Sequence, residues 1–286
     1  MGLFDFFKRG SKDLPPEEEG PALANKKVGS LGKKASDKRS QSYDRDEALR
    51  ALIDIGTHEA AIALMKRFKL QVDPSITDQE EKQLAFDGIV SIGLGQRGKR
   101  VADAGKDAKD ISSEPLTQAE IDELRDAVVA GARDYCARAE NLTWPLKVMR
   151  ALLDDEAYEK ELLELLGGHD TEYTRNVEPK INILAAMEGV QTPAIREAVE
   201  AYLDDVNETV RFHAVQTTYA QGDPASIPAL IALCESEESV RIKNKVAEGM
   251  QRLAWAAPEE LRERFMEAMS DVYEYRVNPD GTVRAA

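Results

Sequence analysis

Apolar residues recur every three to four positions along most of the chain, which is the period of an amphipathic α-helix. The pattern is clearest from about residue 44 onward, where DEALRALIDIG leads into THEAAIALMKRF. A glycine separates the two segments, so the sequence predicts a helix, a tight turn and a second helix. The fold class that follows from this period is all-α.

The same unit of two helices recurs four more times. Those segments are NLTWPLKVMRALLDD with EAYEKELLELLGG, VEPKINILAAMEGV with TPAIREAVEAYLDD, ETVRFHAVQTTYAQGD with PASIPALIALCES, and ESVRIKNKVAEGMQRLAWA with APEELRERFMEAMSDV. In three units the second helix opens with a proline, at Pro193, Pro224 and Pro258, where a missing backbone N–H is tolerated. Thr192 and Asp223 precede two of these prolines and are predicted N-caps.

The spacing of the units is regular as well. Gly189 and Gly222 each close a first helix and are 33 residues apart, and the Val-Arg dipeptides that start at Val210 and Val240 are 30 apart. Periods of roughly 30–47 residues built from helix pairs are typical of α-solenoids, in which each pair must stack on its neighbours to bury a core. We therefore predict a right-handed α-solenoid of about five or six helix pairs over residues 44–286.

One unit, YLDDVNETVRFHAVQTTYAQGDPASIPALIALC at residues 202–234, resembles the HEAT-repeat family. It has an aspartate, a Val-Arg dipeptide that opens the first helix, a Gly-Asp-Pro turn and an apolar second helix. The resemblance implies that Asp205 and Arg211 form the acid–base pair that links adjacent HEAT repeats, with Arg241 at the corresponding place in the next unit. It implies an armadillo-type helical array and says little about function, because this fold hosts many roles.

The resemblance covers the chain unevenly. It is good over about 176–270 and weaker over 44–92 and 141–168. A polar segment rich in glycine and lysine at 93–117 interrupts the repeats and is predicted to be an inserted loop. The alternating residues of 273–286 surround Asn-Pro-Asp-Gly and predict a short β-hairpin.

The first 43 residues differ from the rest of the chain. MGLFDFFKR predicts a short amphipathic helix in which Leu3, Phe4, Phe6 and Phe7 share one side. The remainder, up to residue 43, is rich in Pro, Gly, Ser and Lys and predicts a flexible charged linker, so the whole segment is expected to be a disordered arm. Its apolar end could dock into a partner groove or touch an anionic membrane surface.

Charge and composition limit the classes of function. Residues 46–286 carry 28 Lys/Arg against 46 Asp/Glu, a net charge of −18, which argues against nucleic acid as a ligand. Cys136 and Cys234 have no paired spacing and are predicted to be reduced core residues. The sequence contains no apolar run of the roughly 18 residues that a membrane span needs. These features together predict a cytoplasmic protein.

Sequence motifs of enzymes fail in context. Gly93, Gly95 and Gly98 spell G-x-G-x-x-G, but the segment before them has a helical period, whereas a dinucleotide site needs a strand. His58 has Ile62 rather than a second histidine four residues on, so it lacks the pair of a zinc-protease helix. We predict no catalytic residue, no metal ligand and no cofactor.

The sequence therefore predicts a scaffold or adaptor that binds an unidentified protein on the surface formed by its second helices. Two alternatives stay open. One is an enzyme accessory, since HEAT-like proteins include chromophore lyases as well as DNA glycosylases, and the glycosylase alternative conflicts with the acidic body. The other is an adaptor at a membrane surface that uses the amino-terminal helix.

Overall fold

The computed structural model describes residues 26–95, 116–138 and 140–286. These residues form thirteen α-helices and one two-stranded antiparallel sheet, so the predicted mostly helical fold with a small C-terminal sheet is confirmed. The helices are α1 (Lys26–Ala35), α2 (Ser42–Ile55), α3 (His58–Met65), α4 (Ser75–Gly93), α5 (Gln118–Ala137), α6 (Thr143–Leu152), α7 (Asp155–Gly167), α8 (Glu178–Met187), α9 (Pro193–Glu200), α10 (Glu208–Gln221), α11 (Ile227–Ser236), α12 (Val240–Arg252) and α13 (Arg262–Ala268). The strands are β1 (Tyr275–Val277) and β2 (Val283–Ala285), and 3-10 turns cover Lys66–Lys69, Ala201–Asp204, Pro224–Ser226 and Glu259–Leu261.

The helices begin where the capping residues predict. The Thr192 hydroxyl accepts a hydrogen bond from the backbone N–H of Ile195 at 3.2 Å, and Pro193 is the first residue of α9. The Asp223 carboxylate accepts from the backbone N–H two residues on at 2.9 Å, and Pro224 opens the 3-10 turn before α11. Both predicted N-caps are confirmed, because each side chain satisfies a backbone donor that has no partner within its helix.

The predicted flexible linker is wrong over its last part. Residues 26–35 form α1, which packs against α2 and α3 and buries Val28, Gly32 and Ala35. A side chain at Gly32 would place its Cβ 3.1 Å from the Cβ of Ala63, so the glycine permits the close approach of α1 to α3. The apolar stripe of α1 consists of small residues between lysines, and composition alone hides it.

Two predicted features lie mainly outside the described residues. The amino-terminal helix, with Leu3, Phe4, Phe6 and Phe7, and the rest of the arm up to residue 25 are not described. Of the inserted loop at 93–117, only its two ends are described. The expectations for these segments therefore stay predictions.

The chain divides into two compact units. Unit 1 contains α1 to α5 with residues 147–152, and unit 2 contains residues 140–146 with residues 153–286. In unit 1, α2, α3 and α4 pack against one another, and α1 and α5 both contact α3. The core of unit 1 includes Leu49, Leu64 and Ile89, all fully buried.

Unit 2 consists of two layers of helices. In the first layer α8 contacts α10 and α10 contacts α12, while in the second layer α7 contacts α9, and α11 contacts α13 and the 3-10 turn that ends α9. The apolar sides of both layers face each other, and Leu184, Val215 and Val246 are fully buried between them. The period of 3.6 residues in the sequence therefore corresponds to one buried stripe on each helix.

Within the first layer, α10 and α12 approach closely at one point. A Cβ on Gly249 would lie 2.2 Å from the ring of Tyr219, so any side chain at this position would displace the ring. The Tyr219 hydroxyl donates a hydrogen bond to the carbonyl oxygen of Val246 at 2.6 Å. A glycine on one helix thus lets a tyrosine on the next lie flat against the backbone.

The predicted C-terminal hairpin is confirmed. Strand β1 pairs with β2 in antiparallel register, Tyr275 opposite Ala285 and Val277 opposite Val283. Gly281 lies in the connecting turn with φ of +86°, a conformation that favours glycine. Both strands contact α12, so the hairpin covers the last helix of the first layer. None of the described helices is both long enough and apolar enough to cross a membrane.

Candidate interaction surface

Each helix of the first layer carries a buried or half-buried cation at its third or fourth residue. This cation reaches an acidic residue beyond the following second-layer helix, and we call the three pairs the cation ladder. The pairs are Lys180 Nζ–Asp205 Oδ2 at 2.7 Å, Arg211 Nε–Glu237 Oε2 at 2.7 Å and Lys243 Nζ–Asp271 Oδ1 at 2.9 Å. The cations are 31 and 32 residues apart in the sequence, so the ladder follows the repeat.

Two rungs of the ladder also bond the linker that precedes their own helix. Lys180 Nζ donates to the carbonyl oxygen of Glu172 at 3.2 Å. Arg211 Nη1 donates to the carbonyl oxygen of Asp205 at 2.9 Å and to that of Val206 at 3.3 Å. Because each cation holds two successive linkers, the ladder fixes the spacing between them. Val206 N also donates to the carbonyl oxygen of Thr171 at 2.9 Å, which joins the first two linkers directly.

The rungs differ in exposure. The side chains of Lys180 and Asp205 are 1% and 0% exposed, whereas the Asp271 side chain is 51% exposed. Burial alone would raise the pKa of the Glu237 carboxyl, but the hydrogen bonds from Arg211 outweigh it and hold that pKa below its usual value of 4.5. The middle rung is therefore charged at neutral pH.

The expected pairing of the Asp205 carboxylate with Arg211 is wrong. Arg211 bonds the backbone carbonyl of Asp205, and the carboxylate bonds Lys180. The Val-Arg motif sets the wrong register, because Val210 is the buried third residue of α10 while Val240 is the exposed first residue of α12. The structural equivalent of Arg211 is thus Lys243, two residues later than the motif predicts.

Arg241 still contacts the preceding first-layer helix, but at the surface. Its guanidinium carbon lies 3.9 Å from the centre of the Phe212 ring, and its Nη1 lies 3.7 Å from the Glu208 carboxylate. This stacking is a cation–π contact on an exposed side chain. Arg241 therefore joins α10 to α12 without being part of the cation ladder.

The linkers held by the ladder expose a row of large apolar side chains. We define the linker edge as residues 168–177, 204–208, 237–241 and 269–274 of unit 2. One large apolar side chain in each segment is exposed to solvent, and these are Tyr173 at 81%, Val206 at 53%, Val240 at 42% and Tyr273 at 80%. Successive members are 33 or 34 residues apart, so the row repeats with the helices.

Acidic side chains surround this row. The exposed acidic residues of the linker edge are Asp170, Glu172, Asp204, Glu208, Glu238, Asp271 and Glu274. The exposed basic residues of the same segments are Arg175 and Arg241. The linker edge therefore combines apolar side chains with an excess of five negative charges.

The second layer of unit 2 is also acidic on its outer side. Its exposed acidic residues are Asp155, Glu156, Glu164, Glu197, Glu235, Glu263 and Glu267, against the exposed basic residues Lys160 and Arg264. The first layer exposes three acidic residues, Glu178, Glu208 and Glu248, and two basic ones, Arg241 and Arg252. The two layers thus expose net charges of −5 and −1.

The outer side of the first layer contains a small concavity of about 170 Å³. It is lined by Gln216, Tyr219, Lys245, Glu248, Gly249 and Arg252. Lys245 Nζ is 3.0 Å from the Glu248 carboxylate, so two of its opposite charges are paired. Pockets for drug-sized ligands measure roughly 300–1,000 Å³, so this concavity is too small for a tetrapyrrole.

Unit 1 buries its charges in a different arrangement. Five charged side chains, all less than 10% exposed, are joined in one network and are Arg45, Arg67, Asp78, Glu81 and Lys82. Arg67 is at its centre: Nε lies 2.8 Å from Glu81, Nη2 lies 2.8 Å from Asp78, and Nη1 donates to a backbone carbonyl at 2.7 Å. Arg45 also bonds Glu81 through Nε at 2.9 Å, and Lys82 bonds Asp78 at 2.7 Å. We call these five residues the unit 1 charge network.

The residues of the enzyme motifs have structural surroundings. Gly93 ends α4, which confirms the predicted helix before the glycine motif, and Gly98 lies outside the described residues. The imidazole of His58 lies 3.3 Å from Glu123 and 3.5 Å from Glu120, both on α5. Within residues 26–95, 116–138 and 140–286, no group of three or more His, Cys, Asp or Glu side chains is arranged to hold a metal ion.

The two cysteines occupy different surroundings. Cys234 on α11 is buried, and burial raises the pKa of its thiol to about 12. Cys136 on α5 is half-buried, and burial raises the pKa of its thiol as well. Both thiols are thus protonated at neutral pH and are weak nucleophiles.

Comparisons with known proteins identify no relative. No family model matches the chain, and neither the curated proteins nor the solved structures include a match.

Proposed function

We propose that this protein is a scaffold without catalytic activity of its own, in which unit 2 binds a basic surface of another protein. In this proposal the two layers of unit 2 form a short right-handed α-solenoid of the HEAT type. Arrays of this kind use an extended face to hold a partner through many small contacts. The observation that carries the proposal is the difference between the layers, −5 against −1 in exposed charge.

Charge of one sign on one face favours a partner of the opposite sign. Complementary potentials speed the encounter of two proteins and exclude partners of like charge. The exposed side of the second layer has acidic residues on all four of its helices, so the negative potential extends along the whole layer. We expect the partner to present lysine or arginine side chains along a matching length.

The second layer retains its packing when its outer charges are changed. Glu164, Glu197 and Glu267 are exposed, lie on three different helices and do not contribute to the buried core. Replacement of all three by lysine reverses six units of charge on this face. The substitutions near the ends of α7 and α13 also place positive charge at helix C-termini, which is favourable for the helix dipole.

The first experiment measures binding of a fluorescent basic peptide, a 20-residue repeat of Lys-Ser-Ser-Lys, to the full chain by fluorescence anisotropy at increasing salt. We expect the Glu164→Lys/Glu197→Lys/Glu267→Lys variant to weaken binding at least about tenfold without a lower melting temperature. Affinity of the parent protein should fall steeply as salt rises.

The control variant carries the same change in net charge on unit 1. Asp54→Lys/Glu80→Lys/Asp126→Lys replaces three exposed acidic residues there. An equal loss of binding in this control would mean that the peptide responds only to total charge, and the proposal would then be wrong.

A further inference from the structure

The linker edge of unit 2 has a chemical character that the second layer lacks. Its four exposed apolar side chains lie one to each linker, and two of them are tyrosines with about four fifths of their surface exposed. The second layer, by contrast, has no large apolar side chain among its exposed residues in the described part of the chain. Acidic recognition therefore occurs on both surfaces, and apolar recognition on the edge alone.

The edge is also rigid. Lys180 bonds both Glu172 of the first linker and Asp205 of the second. Arg211 bonds Val206 of the second linker and Glu237 of the third. Because these bonds hold the linkers in place before any partner arrives, little ordering of the edge is needed on binding.

From these features we propose that the linker edge binds an extended segment of a partner protein in which large apolar side chains are flanked by lysine or arginine. The apolar side chains pack against Tyr173, Val206, Val240 and Tyr273, and the basic ones pair with the surrounding carboxylates. Tyrosine suits this role because it offers a large contact area with few rotatable bonds. The inference rests on the proposed function and names the partner's chemistry and the place where it binds.

The charge of the edge selects among possible occupants. An excess of five negative charges repels an anionic membrane and a nucleic acid, and a second copy of this acidic chain is disfavoured for the same reason. A segment that is apolar alone would leave the carboxylates without partners. The combination of apolar and basic side chains satisfies both features of the surface.

The test uses the full chain and two labelled peptides of 20 residues, one repeating Lys-Leu-Ser-Lys and one repeating Lys-Ser-Ser-Lys. We expect the leucine peptide to bind about tenfold more tightly, since burial of one tyrosine-sized contact is enough for that difference. The variant Tyr173→Ser/Tyr273→Ser should remove the difference and leave the affinity for the serine peptide unchanged. Both substitutions are at exposed positions, and the melting temperature verifies that the fold is intact.

A matched control comes from unit 1. Tyr43 and Ile76 there are 78% and 70% exposed, so Tyr43→Ser/Ile76→Ser removes a similar apolar area away from the edge. This control should retain the preference for the leucine peptide. If it loses the preference to the same extent, or if the parent protein binds both peptides equally, the inference is overturned.

The outcomes separate this inference from the proposed function. If Glu164→Lys/Glu197→Lys/Glu267→Lys weakens both peptides but the tyrosine variant changes nothing, the second layer binds basic segments and the edge inference fails alone. If neither variant changes binding, both proposals fail. Binding of phosphatidylserine vesicles that is lost in Tyr173→Ser/Tyr273→Ser would assign the edge to lipid and overturn the inference.

Discussion

The two units bury charged side chains in different arrangements. In unit 1 five charges form one network, in which Arg67 contacts both carboxylates and no part can change without affecting the others. In unit 2 each junction between repeats has its own pair, and neighbouring pairs share no side chain. The comparison teaches that buried charge can serve either as one joint locus or as a set of separable ties, with different consequences for mutation.

The largest effect is expected for Arg67→Met. This substitution leaves Asp78 and Glu81 buried with fewer partners, and breaking a buried ion pair by removal of one member costs about 3–5 kcal/mol in free energy of unfolding. Urea denaturation measures the loss, and hydrogen exchange should increase across the whole of α2 and α4. As a control, Arg50→Met removes an exposed partner of Asp46 and should change stability little. A loss confined to α3 would contradict the idea of one joint locus.

Lys180→Met is expected to have the next largest effect. Asp205 then stays buried, although it still accepts a hydrogen bond from the Asn207 backbone at 2.8 Å. We expect a loss of about 3 kcal/mol, at the lower end of the range for a broken buried pair. Hydrogen exchange should increase only near residues 170–177 and 204–208. The double variant Lys180→Met/Asp205→Asn should recover part of the loss, because it removes the uncompensated charge.

Acid is expected to act first on unit 1. Although burial alone would raise the pKa values of Asp78 and Glu81, hydrogen bonds from Lys82 and Arg67 to the first, and from Arg45 and Arg67 to the second, lower both. A carboxyl whose pKa is lower in the folded state contributes stability that is complete above its unfolded pKa and is lost as pH falls through the folded value.

That stability should therefore decline below pH 4.5, the usual value for a glutamate. Unit 1 has two such carboxyls in one network, whereas the ladder has the buried Glu237. Hydrogen exchange measured from pH 6 to pH 3 should show α2 and α4 losing protection at a higher pH than α10 and α12. The reverse order would contradict the comparison.

The smallest effect is expected for Lys243→Met. Its partner Asp271 is half exposed and stays hydrated when the ammonium is lost, so little uncompensated charge is buried. The melting temperature should fall by less than a third of the fall caused by Lys180→Met, with Arg211→Met between them. Equal shifts for the three cations would show that exposure does not grade the ladder.

The sequence predicted the helices better than their polar contacts. Apolar period, capping residues such as Thr192 and the Asn-Pro-Asp-Gly turn are local signals, and the predicted helix pairs and hairpin agree with the structure. Helix α1 was missed because its buried residues are small and lie between lysines. The amphipathic helix of the arm stays a prediction, since its residues are not described.

The partners of the ladder were not predictable from one motif. Asp205 and Arg211 are close in sequence, but each bonds a side chain about 25 residues away in a neighbouring repeat. A signal was present in the spacing of Lys180, Arg211 and Lys243, which recurs at 31 and 32 residues. The exposed row of the linker edge had no such signal, because exposure of Tyr173 or Val240 depends on how the repeats pack.

The cation ladder also bears on how such a chain can grow. A segment that starts after Asp205 and ends after Glu237 contains both Arg211 and the acid that Arg211 requires. In-frame duplication of that segment would thus supply each new copy with its own donor and acceptor, while the existing pairs at either end keep theirs. Lengthening by whole repeats would then need no compensating substitution, whereas an insertion within the unit 1 charge network would separate residues that have no second copy.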